Sequence, residues 1–335
     1  MPGQSGERGQ EVTMKAYFDL LTACLLFSAQ FIFTKLFSKK TKGDLQSGLV
    51  NGAVIAVVMA LYLMPMNGFS YSFSRSALIW ATVSGLSSVI MTFINVRAMK
   101  LGDLSIVTIY MLLGGQIIPF LYGVLWLNEE LNAIKLISVV ILTVALFPPV
   151  IEALAAKKKN AGADNAASGG GLMFHLLCLI LFIGNGMVSI ATKAHVISTD
   201  AIPDTAFTML CASEQAVLLV LILLAFAVRN AVKKKEKPIS SVFTDIVKEQ
   251  PVGAKTMAAL LCISVCYSVC NGVANLFSQS CAHTMDSSIQ FPILSAAIIV
   301  LTALIGRIFF REKITAAKAI SIVLSLIGVV MMIFA

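Results

Sequence analysis

The sequence predicts an all-α integral membrane protein with ten transmembrane helices, arranged as two inverted five-helix repeats. Hydrophobic residues make up 58% of the 335 residues, charged residues make up only 13%, and the mean hydropathy is +0.89. A soluble domain of this size could not carry such a composition on its surface. The apolar residues also form continuous runs of about 20, the length that a helix needs to cross a bilayer.

A segment of the chain recurs later with a fixed offset of 183 residues and no gaps. The stretch 103–147 aligns with 286–330 and gives eleven identities in forty-five positions, against about four expected from so apolar a composition. The identical pairs include Asp103 with Asp286, Ser105 with Ser288, Gly123 with Gly306, Glu129 with Glu312, Lys135 with Lys318 and Ser138 with Ser321. This recurrence predicts a tandem duplication.

The predicted spans are helices 1 to 5 at 16–37, 47–65, 76–98, 104–127 and 132–150, and helices 6 to 10 at 172–195, 206–228, 256–281, 288–309 and 316–335. Helix 5 is expected to stop at Pro148-Pro149, because proline interrupts a helix. A linker at 151–171 then separates a first repeat (16–150) from a second (172–335). Continuous runs favour helices over barrel strands, which would alternate over about ten residues. The polar first fifteen residues lack a basic segment and predict no cleavable signal peptide.

Five spans per repeat is an odd number, so the second repeat should cross the membrane in the opposite sense. The connections 1–2, 3–4, 5–6, 7–8 and 9–10 carry about eighteen Lys and Arg residues, and the other face carries about five. The positive-inside rule therefore predicts that the Lys-rich face is cytoplasmic and that both termini lie outside. The same loops explain the pI of 9.1 without nucleic acid as a partner. We expect the plasma membrane of a bacterium as the location.

Glu214, near the middle of helix 7, is the carboxylate that the sequence places at mid-depth. A charge there costs about 3 kcal/mol on insertion scales, so such residues are usually functional. A buried carboxyl group could exchange a proton between the two faces. The alternative is a hydrogen-bonded residue that fixes helix packing.

Polar residues recur inside the predicted spans, and each needs a partner in hydrocarbon or a wet cavity. We expect several to converge on a substrate site, although any one could equally be a contact between helices. The candidates are Gln30, Asn51, Asn95, Tyr110 and Gln116 in the first repeat, and Asn185, Asn271, Asn275 and Gln279 in the second.

Helix 8 carries small residues at every fourth position: Ala258, Cys262, Cys266, Cys270, Ala274 and Ser278. This spacing favours close helix packing over a metal site. The seven cysteines show no CxxC spacing and indicate neither disulfides nor zinc. No GxxxxGK[ST] motif is present, so we expect no nucleotide-driven step and no cofactor. His195 and Asp200 form an HxxxxD pair, which alone is weak support for an enzyme, and we expect none.

The end of each repeat resembles the EamA-type domain of the drug/metabolite transporter superfamily. The matching stretches are LNEELNAIKLISVVILTVAL and FREKITAAKAISIVLSLIGVV, with Glu129 and Glu312 at the Glu of that family. Helix 1 is also similar to the family's opening, with Ser28, Gln30 and Lys35 in its polar positions. Lys193 matches the family's Lys in helix 6, on the face that the charge rule disfavours, where a carboxylate or anion would justify it.

This resemblance implies a ten-helix transporter of small organic solutes, such as amino acids, metabolites or drugs, commonly moving them outward. The leading hypothesis is therefore a secondary transporter that works by alternating access and is coupled to protons if Glu214 titrates. The alternative is a non-transporting membrane scaffold or sensor. The expected partners are a small-molecule substrate and the lipid bilayer, and the sequence leaves open whether the chain is a monomer or a homodimer.

Overall fold

The computed structural model describes residues 3–101, 104–160, 172–232, 245–247, 253–311 and 314–334. Within these residues the chain forms α-helices and no β-strand. The helices are α1 (Gly3–Lys40), α2 (Leu45–Met66), α3 (Arg75–Leu101), α4 (Leu104–Trp126), α5 (Ala133–Val144), α6 (Phe147–Asn160), α7 (Leu172–Val196), α8 (Asp204–Val232), α9 (Ala254–Ala282), α10 (Ser287–Phe310) and α11 (Ala316–Ile333). Ten candidate spans are long and apolar enough to cross a membrane, with α5 and the start of α6 forming one of them. The predicted all-helical membrane protein is confirmed to this extent.

The predicted end of helix 5 is wrong. Helix α5 ends at Val144, and a new helix begins at Phe147, so that Pro148 and Pro149 lie in the first turn of α6. Proline is tolerated there because the first N–H groups of a helix have no intrahelical acceptor. The two prolines therefore start a helix instead of ending one. Helix α6 continues to Asn160, inside the predicted linker 151–171, and the rest of that linker lies outside the described residues.

Helices α5 and α11 begin in the same way. The side-chain oxygen of Asn132 accepts a hydrogen bond from the N–H of Lys135 at 2.8 Å, and the Thr315 hydroxyl accepts one from the N–H of Lys318 at 3.3 Å. Both residues are N-caps, which satisfy a free N–H at the start of a helix. Asn132 and Thr315 are separated by the repeat offset, so the aligned sequence produces the same local structure twice.

Connections on the same predicted face contact one another across the bundle. The Asp200 carboxylate, between α7 and α8, accepts a hydrogen bond from the N–H of Ser76 at the start of α3. At the opposite end, the N–H of Lys42 donates to the carbonyl oxygen of Ile246 at 2.8 Å. We call the face with the α2–α3, α4–α5, α7–α8 and α9–α10 connections the outer face, following the charge-based prediction, and the opposite one the inner face.

Helix neighbours are spread over both predicted repeats. Helix α1 packs on α9 and α10, α7 packs on α3 and α4, α2 packs on α8 and α9, α3 packs on α8, α4 packs on α10, and α5 packs on α11. One buried cluster joins Leu20 of α1, Phe120 of α4, Leu142 of α5, Phe291 of α10 and Met332 of α11. Because lipid is as apolar as these side chains, close van der Waals contact holds the helices together.

The bundle is packed unevenly between its two faces. In α10, nine of the ten residues in 287–296 are buried, whereas every residue in 297–303 is partly exposed. Seven successive helical residues point in all directions, so this second stretch is accessible on its inward side as well. Helix α1 behaves similarly, with no buried residue in 29–36. The outer half of the bundle is therefore closely packed, and the inner half is loosely packed around α1 and α10.

Candidate functional site

The central polar contacts lie where α9 meets α1. The Asn271 amide donates to the side-chain oxygen of Gln30 at 2.7 Å. The Asn275 amide donates to the carbonyl and side-chain oxygens of Asn271 at 2.8 and 3.0 Å. All three side chains are partly exposed, and Gln30 lies in the stretch 29–36 of α1 that contains no buried residue. We call these three residues the α1–α9 amide cluster.

Helix α9 also contacts α2 closely. The Ser264 hydroxyl donates to the side-chain oxygen of Asn51, and the Ser268 hydroxyl donates to a carbonyl oxygen of α2, each at 2.8 Å. At Gly272, a Cβ atom would lie 1.7 Å from the Tyr62 hydroxyl oxygen, so any larger residue would have to displace the Tyr62 side chain. Asn51 is thus a helix-to-helix contact in this structure.

The predicted small-residue stripe of α9 is buried at its outer end and not at its inner end. Of the predicted set, Ala274 and Ser278 are buried, Cys266 and Cys270 are only partly buried, and Ala258 and Cys262 are exposed. The stripe that packs on α2 is Ser264, Ser268 and Gly272. Serine is better suited to this contact than cysteine because its hydroxyl is the stronger donor to oxygen atoms of the neighbouring helix.

Three candidates lie between α3, α4 and α7. The Asn185 amide donates to the carbonyl oxygen of Met111 at 2.7 Å and so joins α7 to α4. The ring of Tyr110 lies 6.4 Å from the ring of His175. Asn95 is partly buried in α3, and its side-chain oxygen has no hydrogen-bond partner within the described residues. These residues are not in the amide cluster.

Gln116 and Gln279 are buried between helices. The Gln116 amide lies 3.4 Å from both the carbonyl oxygen of Val139 and the hydroxyl of Thr143 on α5. The Gln279 amide donates to the Thr208 hydroxyl of α8 at 2.6 Å. Both glutamines therefore connect neighbouring helices, and each leaves its side-chain oxygen without a partner in the described part of the chain.

Glu214 lies at the α3–α8 contact. The Thr82 side chain lies close to its carboxyl group, and a Cβ atom at Gly85 would lie 3.7 Å from one carboxyl oxygen. Val217 and Leu221, one and two turns along the same stripe of α8, are 58% and 57% exposed. Glu214 is therefore at the edge of this contact, beside the lipid-facing surface. This position favours the packing interpretation over the coupling interpretation.

Lys193 is almost fully buried at the outer end of α7, 7% exposed. Its ammonium group donates to the carbonyl oxygens of Ala282 and Met285, each at 2.7 Å. The direct partners are therefore carbonyls at the C-terminal end of α9, where the helix dipole favours a positive charge. The carboxylates of Glu129 and Asp286 also interact with the Lys193 ammonium group at longer range. Lys35 lies partly exposed near the inner end of α1.

Two charged residues that were not among the predicted site residues have specific partners. The Glu129 carboxylate accepts hydrogen bonds from the N–H groups of Ser287 and Ser288 at 2.7 and 2.8 Å. Lys135 is 4% exposed, and its ammonium group lies 3.2 Å from the Asp286 carboxylate. The sequence did carry a signal for these two residues, because a Glu and a Lys occur at the same positions beside a helix start in both copies of the repeated segment.

A buried carboxylate was also missed near the outer end of α1. Asp19 is 5% exposed and accepts a hydrogen bond from the Ser280 hydroxyl at 2.6 Å. One turn away, the Cys281 thiol donates to the carbonyl oxygen of Ala16. A charged residue inside an apolar run was the available signal. These contacts extend the α1–α9 interface from the amide cluster to the outer face.

His195 and Asp200 have separate partners. His195 is buried, its ring stacks on Phe207 with centroids 3.8 Å apart, and its Nε2 lies 3.1 Å from the carbonyl oxygen of Ile202. Asp200 is exposed, and hydrogen bonds from the hydroxyl and N–H of Ser76 lower its pKa. Both contacts shape the connection between α7 and α8.

Comparison with known proteins gives a structural likeness. No family model and no curated protein matches the chain. A solved structure described only as "Crystal structure of protein" is similar, with a TM-score of 0.63 and 16% sequence identity. The match covers 94% of this chain and 95% of the other. The likeness extends to the fold and includes nearly the whole helix arrangement.

Proposed function

We propose that the chain is a secondary transporter that moves a small organic solute by alternating access. The observation that carries the proposal is the α1–α9 amide cluster. Gln30, Asn271 and Asn275 are partly exposed near the middle of their helices, in a bundle closely packed on one side and loosely packed on the other. Amides at this depth need water or a solute to complete their hydrogen bonding. A polar site with access from one face suits one state of an alternating-access cycle.

The proposal includes two inverted repeats, 16–150 and 172–335, in which α1 corresponds to α7, α2 to α8, α3 to α9, α4 to α10, and α5 with α6 to α11. The helix neighbours support it, because this correspondence converts one observed pair into another. The α1–α9 pair becomes α7–α3, the α1–α10 pair becomes α7–α4, and the α2–α9 pair becomes α8–α3. A pseudo-two-fold axis in the membrane plane would produce such exchange.

Two polar contacts follow the same correspondence. The Asn51 side chain of α2 accepts a hydrogen bond from Ser264 of α9, and the Glu214 carboxyl group of α8 lies close to the Thr82 side chain of α3. Aligning Ala53-Val54 with Ala216-Val217 makes Asn51 and Glu214 equivalent. Each copy would then place a polar side chain against a hydroxyl of the neighbouring helix at the same position, with an amide in one copy and an acid in the other.

The chemistry of the amide cluster favours an uncharged or zwitterionic polar solute. Its three members offer amide donors and carbonyl acceptors and bring no charge of their own. Together with the EamA-type resemblance, this supports export of an amino acid, metabolite or drug. We place the protein in the plasma membrane of a bacterium, with both termini outside, and without enzyme activity, cofactor or nucleic acid.

Proton coupling depends on Glu214. A coupling carboxylate has to change its exposure between the two faces, whereas a packing carboxylate keeps its contact with Thr82 throughout. The position of Glu214 beside the lipid-facing stripe supports the packing role.

Two experiments test the transport proposal. Metabolite profiling inside and outside cells with and without the gene identifies candidate solutes, and reconstituted proteoliposomes then measure their flux. We expect Asn271→Ala to lower flux about tenfold, because it removes the two hydrogen bonds of the cluster that use the Asn271 side chain and leaves only the bond from Asn275 to the backbone carbonyl. Cys262→Ala, on the exposed side of the same helix, is the control and should leave flux unchanged. Folded protein that moves none of the candidates would support the scaffold or sensor alternative.

A further inference from the structure

Three charged side chains hold one turn at the outer face. The turn consists of residues 283–286 and joins α9 to α10. Glu129 comes from the α4–α5 connection, Lys135 from α5, and Lys193 from α7, and each bonds to the turn or to a helix end beside it. Lys135 and Lys193 are both buried. Long charged side chains are seldom buried without specific partners, so this arrangement is highly organised.

Each charge also suits the helix end that it contacts. Lys193 is placed against the last carbonyls of α9, and Glu129 is placed against the first N–H groups of α10, which are the favourable ends for a cation and an anion. Asp286 is the N-cap residue of α10, yet its side chain makes no capping hydrogen bond. Glu129 provides the cap from another part of the chain, and Asp286 pairs with Lys135 instead.

The three side chains differ in which predicted repeat they join to the turn. Glu129 and Lys135 belong to the first predicted repeat, and the turn belongs to the second, so these two contacts cross between repeats. Lys193 belongs to the second repeat together with the turn. A relative movement of the two repeats would therefore break the Glu129 and Lys135 contacts and leave the Lys193 contact intact.

We propose that Glu129 and Lys135, bonded to the α9–α10 turn, form the gate that closes the outer face. This inference rests on the proposed transport function. The gate explains why 287–296 of α10, directly after the turn, is almost entirely buried while 297–303 is accessible. Opening exchanges two hydrogen bonds and one ion pair for contacts with water, and the net contribution of each such bond to stability is small.

The test uses Ser288, whose N–H is bonded to Glu129 and whose hydroxyl is buried without a partner in the described residues. Ser288→Cys is introduced into a chain whose seven native cysteines are replaced. A membrane-impermeant thiol reagent is then applied to each face of reconstituted vesicles in turn. The parent should label slowly from both faces.

Glu129→Gln should raise the labelling rate from one face about tenfold, the factor that corresponds to about 1.4 kcal/mol of closing free energy. The charge is lost and one N–H loses its acceptor, while the side-chain size stays the same. Lys135→Met should act in the same direction, and it leaves no buried unpaired charge because Asp286 is 46% exposed. Glu130→Gln, at the exposed neighbouring carboxylate, is the matched control and should not change the rate.

Thermal stability and size-exclusion profiles confirm that each variant is folded. Folded Glu129→Gln and Lys135→Met that label at the parental rate would overturn the gate, and so would fast labelling of the parent. Solute flux is measured separately in the same vesicles. A failed gate with measurable flux contradicts only this inference, whereas a rise in labelling with no flux of any solute contradicts the proposed function.

Discussion

Gly114 provides the most direct test of the helix arrangement. It lies in α4, where a Cβ atom would be 1.9 Å from the carbonyl oxygen of Phe182 on α7. The obstacle is backbone, so no side-chain rotation can relieve it. Gly114→Ala should therefore force α4 and α7 apart.

The size of the effect follows from the distances. A Cβ atom essentially never comes within 3.0 Å of another heavy atom, so the two backbones have to separate by about 1 Å. The 2.7 Å hydrogen bond from Asn185 to Met111 spans the same contact and would stretch beyond hydrogen-bonding range. Overpacking costs about 1–3 kcal/mol, and a lost hydrogen bond costs about 1 kcal/mol. We expect about 3 kcal/mol of destabilisation in total.

The assay is thermal unfolding of purified protein in detergent, at one scan rate because unfolding of such proteins is often irreversible. Gly114→Ala should lower Tm by at least about 5 °C. Gly85→Ala is the matched control, since its Cβ atom would meet Glu214 at an ordinary 3.6 Å. Replacing a helical glycine without strain stabilises a protein by about 0.4–1 kcal/mol, so this Tm should be equal or higher. A Tm of Gly114→Ala equal to that of the parent would refute the α4–α7 contact.

Three further predictions concern transport and topology. Lys193→Met should impair flux more than Lys35→Met at equal expression, because it leaves two carbonyls at the end of α9 without their cation; equal effects would contradict this. Glu214→Gln should leave flux in proteoliposomes equal to that of the parent, with and without an imposed pH difference, whereas a pH-driven accumulation that the parent shows and the variant loses would assign proton coupling to Glu214. In intact cells an impermeant thiol reagent should label a cysteine placed at Ser72 and not one placed at Gly43, and the reverse pattern would overturn the orientation.

The membrane spans could be predicted because their signal is local. The ninth predicted span, 288–309, corresponds to α10 at Ser287–Phe310. The seventh predicted span, 206–228, corresponds to α8 at Asp204–Val232. A continuous apolar run and its polar ends are properties of neighbouring residues. The start of α6 was missed because proline is compatible with either the end or the beginning of a helix. In the structure α6 begins at Phe147, which places Pro148 and Pro149 in its first turn.

The contacts between helices were much less predictable. The amide cluster joins Gln30 to Asn271, which are 241 residues apart, and nothing in one sequence specifies that pairing. The stripe of α9 shows the same limit. Cysteines and serines both recur at every fourth position, and the choice between Cys266 and Ser268 depends on where α2 lies. Residue type predicted which groups need partners, and the fold determined the partners.

The two buried lysines also change how the charge rule should be applied. Lys135 and Lys193 are among the roughly five basic residues counted on the outer face. Their positions are explained by intramolecular contacts, because Lys135 pairs with Asp286 and Lys193 binds the carbonyls at the end of α9. A lysine held inside the folded bundle, with its charge compensated, says little about which loops stay in the cytoplasm. Without these two, the outer face retains about three basic residues against about eighteen on the inner face, which strengthens the predicted orientation.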